Sequence, residues 1–107
     1  MKLPYRVKTE TGEIFDIDFA LHRETENPVR VGQILSLLLE AIDRESKVAG
    51  PVSNGDVLQA TAMALAVRAQ MIEAPINTTA SLSEQLLRSA LHSVADAAHR
   101  SPKVGHA

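Results

Sequence analysis

The chain has 107 residues, no cysteine, a formal net charge of -2 and only 3% aromatic residues. It has the length of one domain, and the missing thiols exclude disulfides, thiolate catalysis and cysteine-ligated zinc. The slightly acidic balance argues against a general polyanion binder, which would cluster Lys and Arg.

The aromatics Tyr5, Phe15 and Phe19 all fall in the first nineteen residues, where apolar and polar positions alternate. Leu3, Tyr5 and Val7 alternate with Pro4, Arg6 and Lys8. After Thr9-Glu10-Thr11-Gly12, Phe15, Ile17 and Phe19 alternate with Asp16 and Asp18. This is the pattern of an antiparallel hairpin over residues 3–19. Placing Thr9 opposite Glu13 leaves a three-residue loop, Glu10-Thr11-Gly12, with glycine at the left-handed position such loops favour. Leu3 then faces Phe19, Tyr5 faces Ile17, Val7 faces Phe15, and Arg6 meets Asp16 on the other side. A one-residue slip would set apolar side chains against aspartates. Pro4 limits ladder bonding on its own strand, so the free edge is expected along Phe15 to Phe19. Residues 20–26 show little periodicity and read as a connector.

Asn27-Pro28 is a helix start, a capping side chain followed by proline at the first helical position. The first helix is expected over residues 28–47, with Val31, Ile34, Leu35, Leu38, Ala41 and Ile42 on its apolar face. Leu37 and Leu39 widen that face, and Gln33, Ser36, Glu40, Asp43 and Arg44 form a narrow polar strip. Gly50-Pro51 stops the helix. A second helix over residues 54–74 opens at Ser53-Asn54-Gly55-Asp56 and ends before Pro75. It carries two apolar stripes, one of Val57, Ala60, Ala64, Val67 and Met71 and one of Leu58, Leu65 and Ile72. One stripe suffices for a helix at the edge of a domain, so two imply packed neighbours on both sides and a central position. Arg68 lies between the stripes, where it either extends its charge to water or meets Glu40, Asp43 or Glu73 in its own chain or a second subunit.

Residues 75–80 read as a loop, and Ser81-x-x-Glu84 as a capping box opening the third helix over residues 81–100. Its buried face is expected to be Leu87, Ala90, Leu91, Val94 and Ala98, flanked by Leu86 and Ala97. Glu84, Gln85, Arg88, Ser89, His92, Asp96 and His99 face water. Residues 101–107 lose the pattern and read as a disordered tail. The fold class that results is α+β, an N-terminal antiparallel hairpin on a three-helix bundle.

Few constellations carry chemistry. His92, Asp96 and His99 could converge on a divalent metal, but they read more simply as a solvated helix face. Asp16 and Asp18 share a strand face as paired carboxylates would, yet lack a third polar partner and read as surface charges. No phosphate-binding glycine loop, metalloprotease motif or nucleophile elbow occurs. Asn77-Thr78-Thr79 matches a glycosylation acceptor only by pattern. No cofactor, metal or catalytic residue is therefore expected. No apolar signal region or membrane-length apolar run is present, and the default compartment is the cytoplasm.

The first two helices present more apolar surface than one hairpin and one amphipathic helix can cover, so a homodimer is expected. Its interface would use Leu37 and Leu39 from the first helix and Val57, Ala60, Ala64, Val67, Arg68 and Met71 from the second. Pairing of hairpins across the twofold axis is a weaker addition. The functional expectation is a non-enzymatic interaction and assembly protein, acting by homodimerisation and by docking a protein partner the sequence does not identify. The alternative is a small nucleic-acid-associated regulator using Gln85, Arg88, His92, Arg100 and Lys103.

Overall fold

The computed structural model of the protein describes residues 1–9 and 12–100, with side chains to residue 98. The elements run β1 (Lys2–Lys8), β2 (Ile14–Ala20), α1 (Pro28–Ala49), α2 (Asn54–Gln70) and α3 (Ile76–Arg100). This is an α+β protein with one two-stranded antiparallel sheet and three helices. The chain divides into two compact units, Met1–Pro28 with the part of α3 from Gln85 onward, and Val29–Glu84.

The hairpin register is the one the alternation predicts. Leu3 pairs with Phe19, Tyr5 with Ile17, Val7 with Phe15 and Arg6 with Asp16. Thr9 N–H donates to Glu13 C=O at 2.9 Å, Thr9 Oγ1 accepts from Glu13 N–H, and Gly12 sits at φ 87°, a conformation glycine adopts without strain. Leu21 N–H donates to Met1 C=O at the other end. Odd-numbered residues therefore exchange the ladder bonds, and even-numbered residues turn their backbone groups outward. Pro4 is even-numbered, so its missing N–H falls on the open edge and removes no bond between the strands, contrary to the expectation that it weakens β1's pairing. Ile17 is buried, Leu3, Tyr5, Val7, Phe15 and Phe19 are half-buried, Ile14 is exposed, and the Tyr5 and Phe19 rings meet at 6.2 Å, tilted by 55°.

What the hairpin leans on differs from the amphipathic reading of α3. Within this unit the most covered positions of α3 are Ser93 and Ala97, with Ser89 and Ala90 half-buried, whereas Leu86, Leu87, Leu91, Val94 and Ala98 are exposed. The expected large-residue face is thus not the covered one. The reason is steric: bulky side chains already project from the sheet, so a helix comes close only where its own residues are small. Ser93 Oγ also accepts a hydrogen bond from Ala20 N–H at 3.2 Å and donates to Ser89 C=O. Ala20 N–H points away from β1, and Ser93 satisfies it at the end of the strand edge.

In the second unit, α1 begins at Pro28 as expected, runs through Ala49, and gives way to Gly50 at φ 97°. The N-cap of α2 is Ser53, whose hydroxyl accepts from Asp56 N–H at 3.1 Å, with Asp56 in the first turn and Arg68 in the last complementing the helix dipole. α2 ends at Gln70, a turn earlier than expected. Pro75 disfavours helical geometry at Ala74, and the chain closes with tight bonds from Met71 N–H to Arg68 C=O and Ile72 N–H to Ala69 C=O.

The loop expected at residues 75–80 is helix instead. Pro75 C=O accepts from Thr78 N–H and Thr79 N–H, so the proline that stops one helix starts the next, and its missing N–H costs nothing there. Thr79 Oγ1 donates to Ile76 C=O and Ser83 Oγ to Thr79 C=O, which lets hydroxyl residues sit inside the helix. Ser81 is consequently interior to α3 and caps nothing. Residues 101–107, expected as a tail, lie outside the described residues.

Two outcomes follow from the hairpin's anchorage. Ser93→Ala leaves Ala20 N–H without its acceptor and should cost about 1 kcal/mol, read as a lower urea midpoint. Ala97→Leu should cost more, about 1–3 kcal/mol, because it forces a side chain into the closest contact of the unit.

Candidate interaction surface

Among the described residues only Ile17, Thr79, Ser93 and Ala97 are buried. Three of these four are small or hydroxylated. Every large aliphatic among the described residues other than Ile17 is at least partly exposed, and both α1 and α2 bury no residue at all.

On α1 the half-buried positions after its first residue are Gly32, Leu35, Ser36, Ile42 and Ser46, which fall on one side of the helix. Ser46 Oγ donates to Ile42 C=O on that side. Ser36, expected in the polar strip, is thus partly covered, whereas Val31, Ile34, Leu37, Leu38 and Ala41 are exposed, Leu37 by 64%. Leu39 is exposed as well, though less than Leu37. α2 is open nearly all round, with only Val57 and Ala69 half-buried. Leu58, Met63, Leu65 and Val67 stand in solvent, as do Ala60 and Ala64. The neighbours that its two stripes imply are not supplied by its own chain. Of the expected interface residues, Met71 alone falls outside a helix, as the C-cap of α2, where it too is exposed.

Arg68 is exposed and joins Glu40, Asp43 or Glu73 in none of the ion pairs of the described residues; Asp43 pairs instead with Lys47 at 3.0 Å. The snorkelling alternative fits a guanidinium at the rim of an open apolar face.

The remaining polar groups assemble no reaction centre. Asp16 is held by Arg6 through a 2.8 Å bond from Nε to Oδ1 and a second from an Nη to Oδ2. That hydrogen bonding holds the Asp16 carboxyl below the usual carboxylate range and raises the Arg6 guanidinium. Gln85, Arg88 and His92 are exposed along α3, while the Arg100 side chain and Lys103 lie outside the described residues. His92 and Asp96 are exposed, the His99 side chain is likewise outside them, and no group of three potential metal ligands occurs among the described residues. No helix is long and apolar enough to cross a membrane.

Sequence reasoning found the apolar excess but only part of each covered face: Leu35, Ile42, Ala90 and Ala97 are covered as expected, whereas Val31, Ile34, Leu38, Ala41, Leu87, Leu91, Val94 and Ala98 are not. Gly32, Ser36, Ser46, Ser89 and Ser93 were readable as close-contact positions only through their small size at helical spacing.

The Arg6–Asp16 pair predicts a pH effect of defined sign. Because the folded carboxyl titrates below its unfolded value, its contribution is complete above the unfolded value, near pH 3.9, and disappears as pH falls through the folded one. Asp16→Asn should therefore flatten the acid limb of a melting-temperature profile and leave the profile near pH 7 almost parallel to wild type.

No family model, no curated protein and no solved structure matches this chain, so its function is argued from its own surface.

Proposed function

We propose that this protein is a non-enzymatic interaction and assembly protein that forms a homodimer through the open aliphatic faces of α1 and α2 and docks a protein partner on the surface so built. One observation carries the reading: both helices bury no residue, yet they expose Val31, Ile34, Leu37, Leu38, Leu58, Met63, Leu65 and Val67. Each of these eight exposes between 39% and 71% of its surface. Apolar side chains grouped in this way on a chain in water mark interaction sites, and a stable complex covers about 800 Å² per partner.

The small residues of α2 fit the same use. Ala60, Ala62, Ala64 and Ala66 give the helix a low profile on several sides, which favours close approach of a second helix rather than insertion into a pocket.

Sedimentation velocity at micromolar concentration tests the reading, with a dimer as the expected result. Leu37→Glu together with Val67→Glu should weaken association by at least about thirtyfold, the effect of losing about 2 kcal/mol at an interface centre, with helix content unchanged by circular dichroism. A wild-type monomer with full helix content at that concentration rejects self-association. A salt-dependent mobility shift with duplex DNA would move the function to the Gln85, Arg88 and His92 face instead.

A further inference from the structure

The homodimer reading leaves open how two copies meet, and the charges on α1 select one arrangement. The arc of α1 turned away from Gly32, Leu35, Ser36, Ile42 and Ser46 carries, in order, Arg30, Ile34, Leu37, Leu38, Ala41, Glu45 and Val48, all exposed. It is an apolar ladder with one base and one acid set into it. Arg30 and Glu45 stand on either side of Leu37 and Leu38, fifteen residues or about 22 Å apart at 1.5 Å per residue. Their midpoint falls between those two leucines.

We infer that two copies of this chain pair α1 against α1 antiparallel, about a twofold axis crossing the helix at Leu37 and Leu38, so that Arg30 of each copy meets Glu45 of the partner subunit. The inference rests on the homodimer reading.

The two orientations of a helix pair differ in their charge contacts. In a parallel, in-register pair every residue meets its own copy, which sets Glu45 against the same residue of the second chain and does likewise for Arg30. Two like-charge contacts at the rim of an apolar seam oppose that arrangement. Reversing one helix about the midpoint converts both contacts into attractive ones. It also keeps Ile34 opposite Ala41 and the leucine pair at the centre, a large residue against a small one on either side of the axis. A head-to-tail arrangement would satisfy the charges once but would not close into a dimer.

The other charges of α1 do not oppose this. Asp43 and Lys47 already pair with each other, and Arg44 and Glu40 lie about 100° and about 140° round the helix from Glu45. Arg30 is engaged within its own chain, and a guanidinium with five donors can take a second acceptor. The hairpin offers no such match. Antiparallel β2 against β2 centred on Ile17 would set Asp16 against the partner's Asp18, and β1 against β1 centred on Val7 would set Arg6 against the partner's Lys8, like charges in both cases.

The experiment is a charge-reversal cycle read by sedimentation equilibrium, with circular dichroism confirming that each variant keeps its helices. Glu45→Arg alone and Arg30→Glu alone should each weaken the dimer about tenfold at low salt, and the double variant should return to within about threefold of wild type. Cysteine trapping gives a second readout in a chain that has no cysteine of its own. A mixture of Ile34→Cys chains and Ala41→Cys chains should cross-link between the two kinds, and neither kind with itself. Self-cross-linking of Ile34→Cys overturns the antiparallel arrangement. A dimer that ignores all three charge variants overturns the α1 seam while leaving the homodimer standing. A wild-type monomer removes both.

Discussion

The contact on which the hairpin unit depends is the seat between the sheet and the small-residue edge of α3. A two-stranded hairpin is marginal in water and needs a surface to cover its apolar face. Ser93 and Ala97 are the most covered positions of α3, and their small side chains leave room for those of a facing element. The Ser93 hydroxyl adds a polar constraint, since it accepts from Ala20 N–H, which β1 does not reach. A leucine at either position would give more apolar area and a worse fit.

The same rule recurs on α1, where Gly32, Ser36 and Ser46 lie among the half-buried positions and Leu37 and Leu38 are in solvent. In a self-sufficient domain the large aliphatics would be inside, because burying each one is worth about 1.5–3 kcal/mol. Leu35 and Ile42 are partly covered, but most of the leucine, isoleucine and valine of α1 and α2 faces outward, and its burial is left to the homodimer proposed above. In that homodimer, assembly and stability would be one process, with protomer concentration entering both.

Much of the local structure was legible beforehand. The hairpin register followed from alternation and the short loop, because a one-residue slip places aspartates opposite apolar residues, and the residues setting it are sequence neighbours. Asn27-Pro28, Ser53 and Gly50 marked helix ends through backbone chemistry that acts within one turn. The break at Pro75 was placed correctly but its consequence was misread. A proline both ends a helix and opens one, and hydroxyls that bond back to their own helix made Asn77-Thr78-Thr79 helical where composition suggested a loop.

The sequence by itself determined the α+β class, the strand pairing, the number of helices and the excess of apolar surface, since all of these depend on periodicity and on interactions between near neighbours. Only the tertiary structure decided which side of each helix is covered. An amphipathic pattern reports how much apolar surface a helix has, but the side that makes contact is chosen by shape, and shape depends on what the opposing element already projects. On α3 the sheet brought the bulk and so selected Ser93 and Ala97, leaving Leu87, Leu91 and Val94 to the outside.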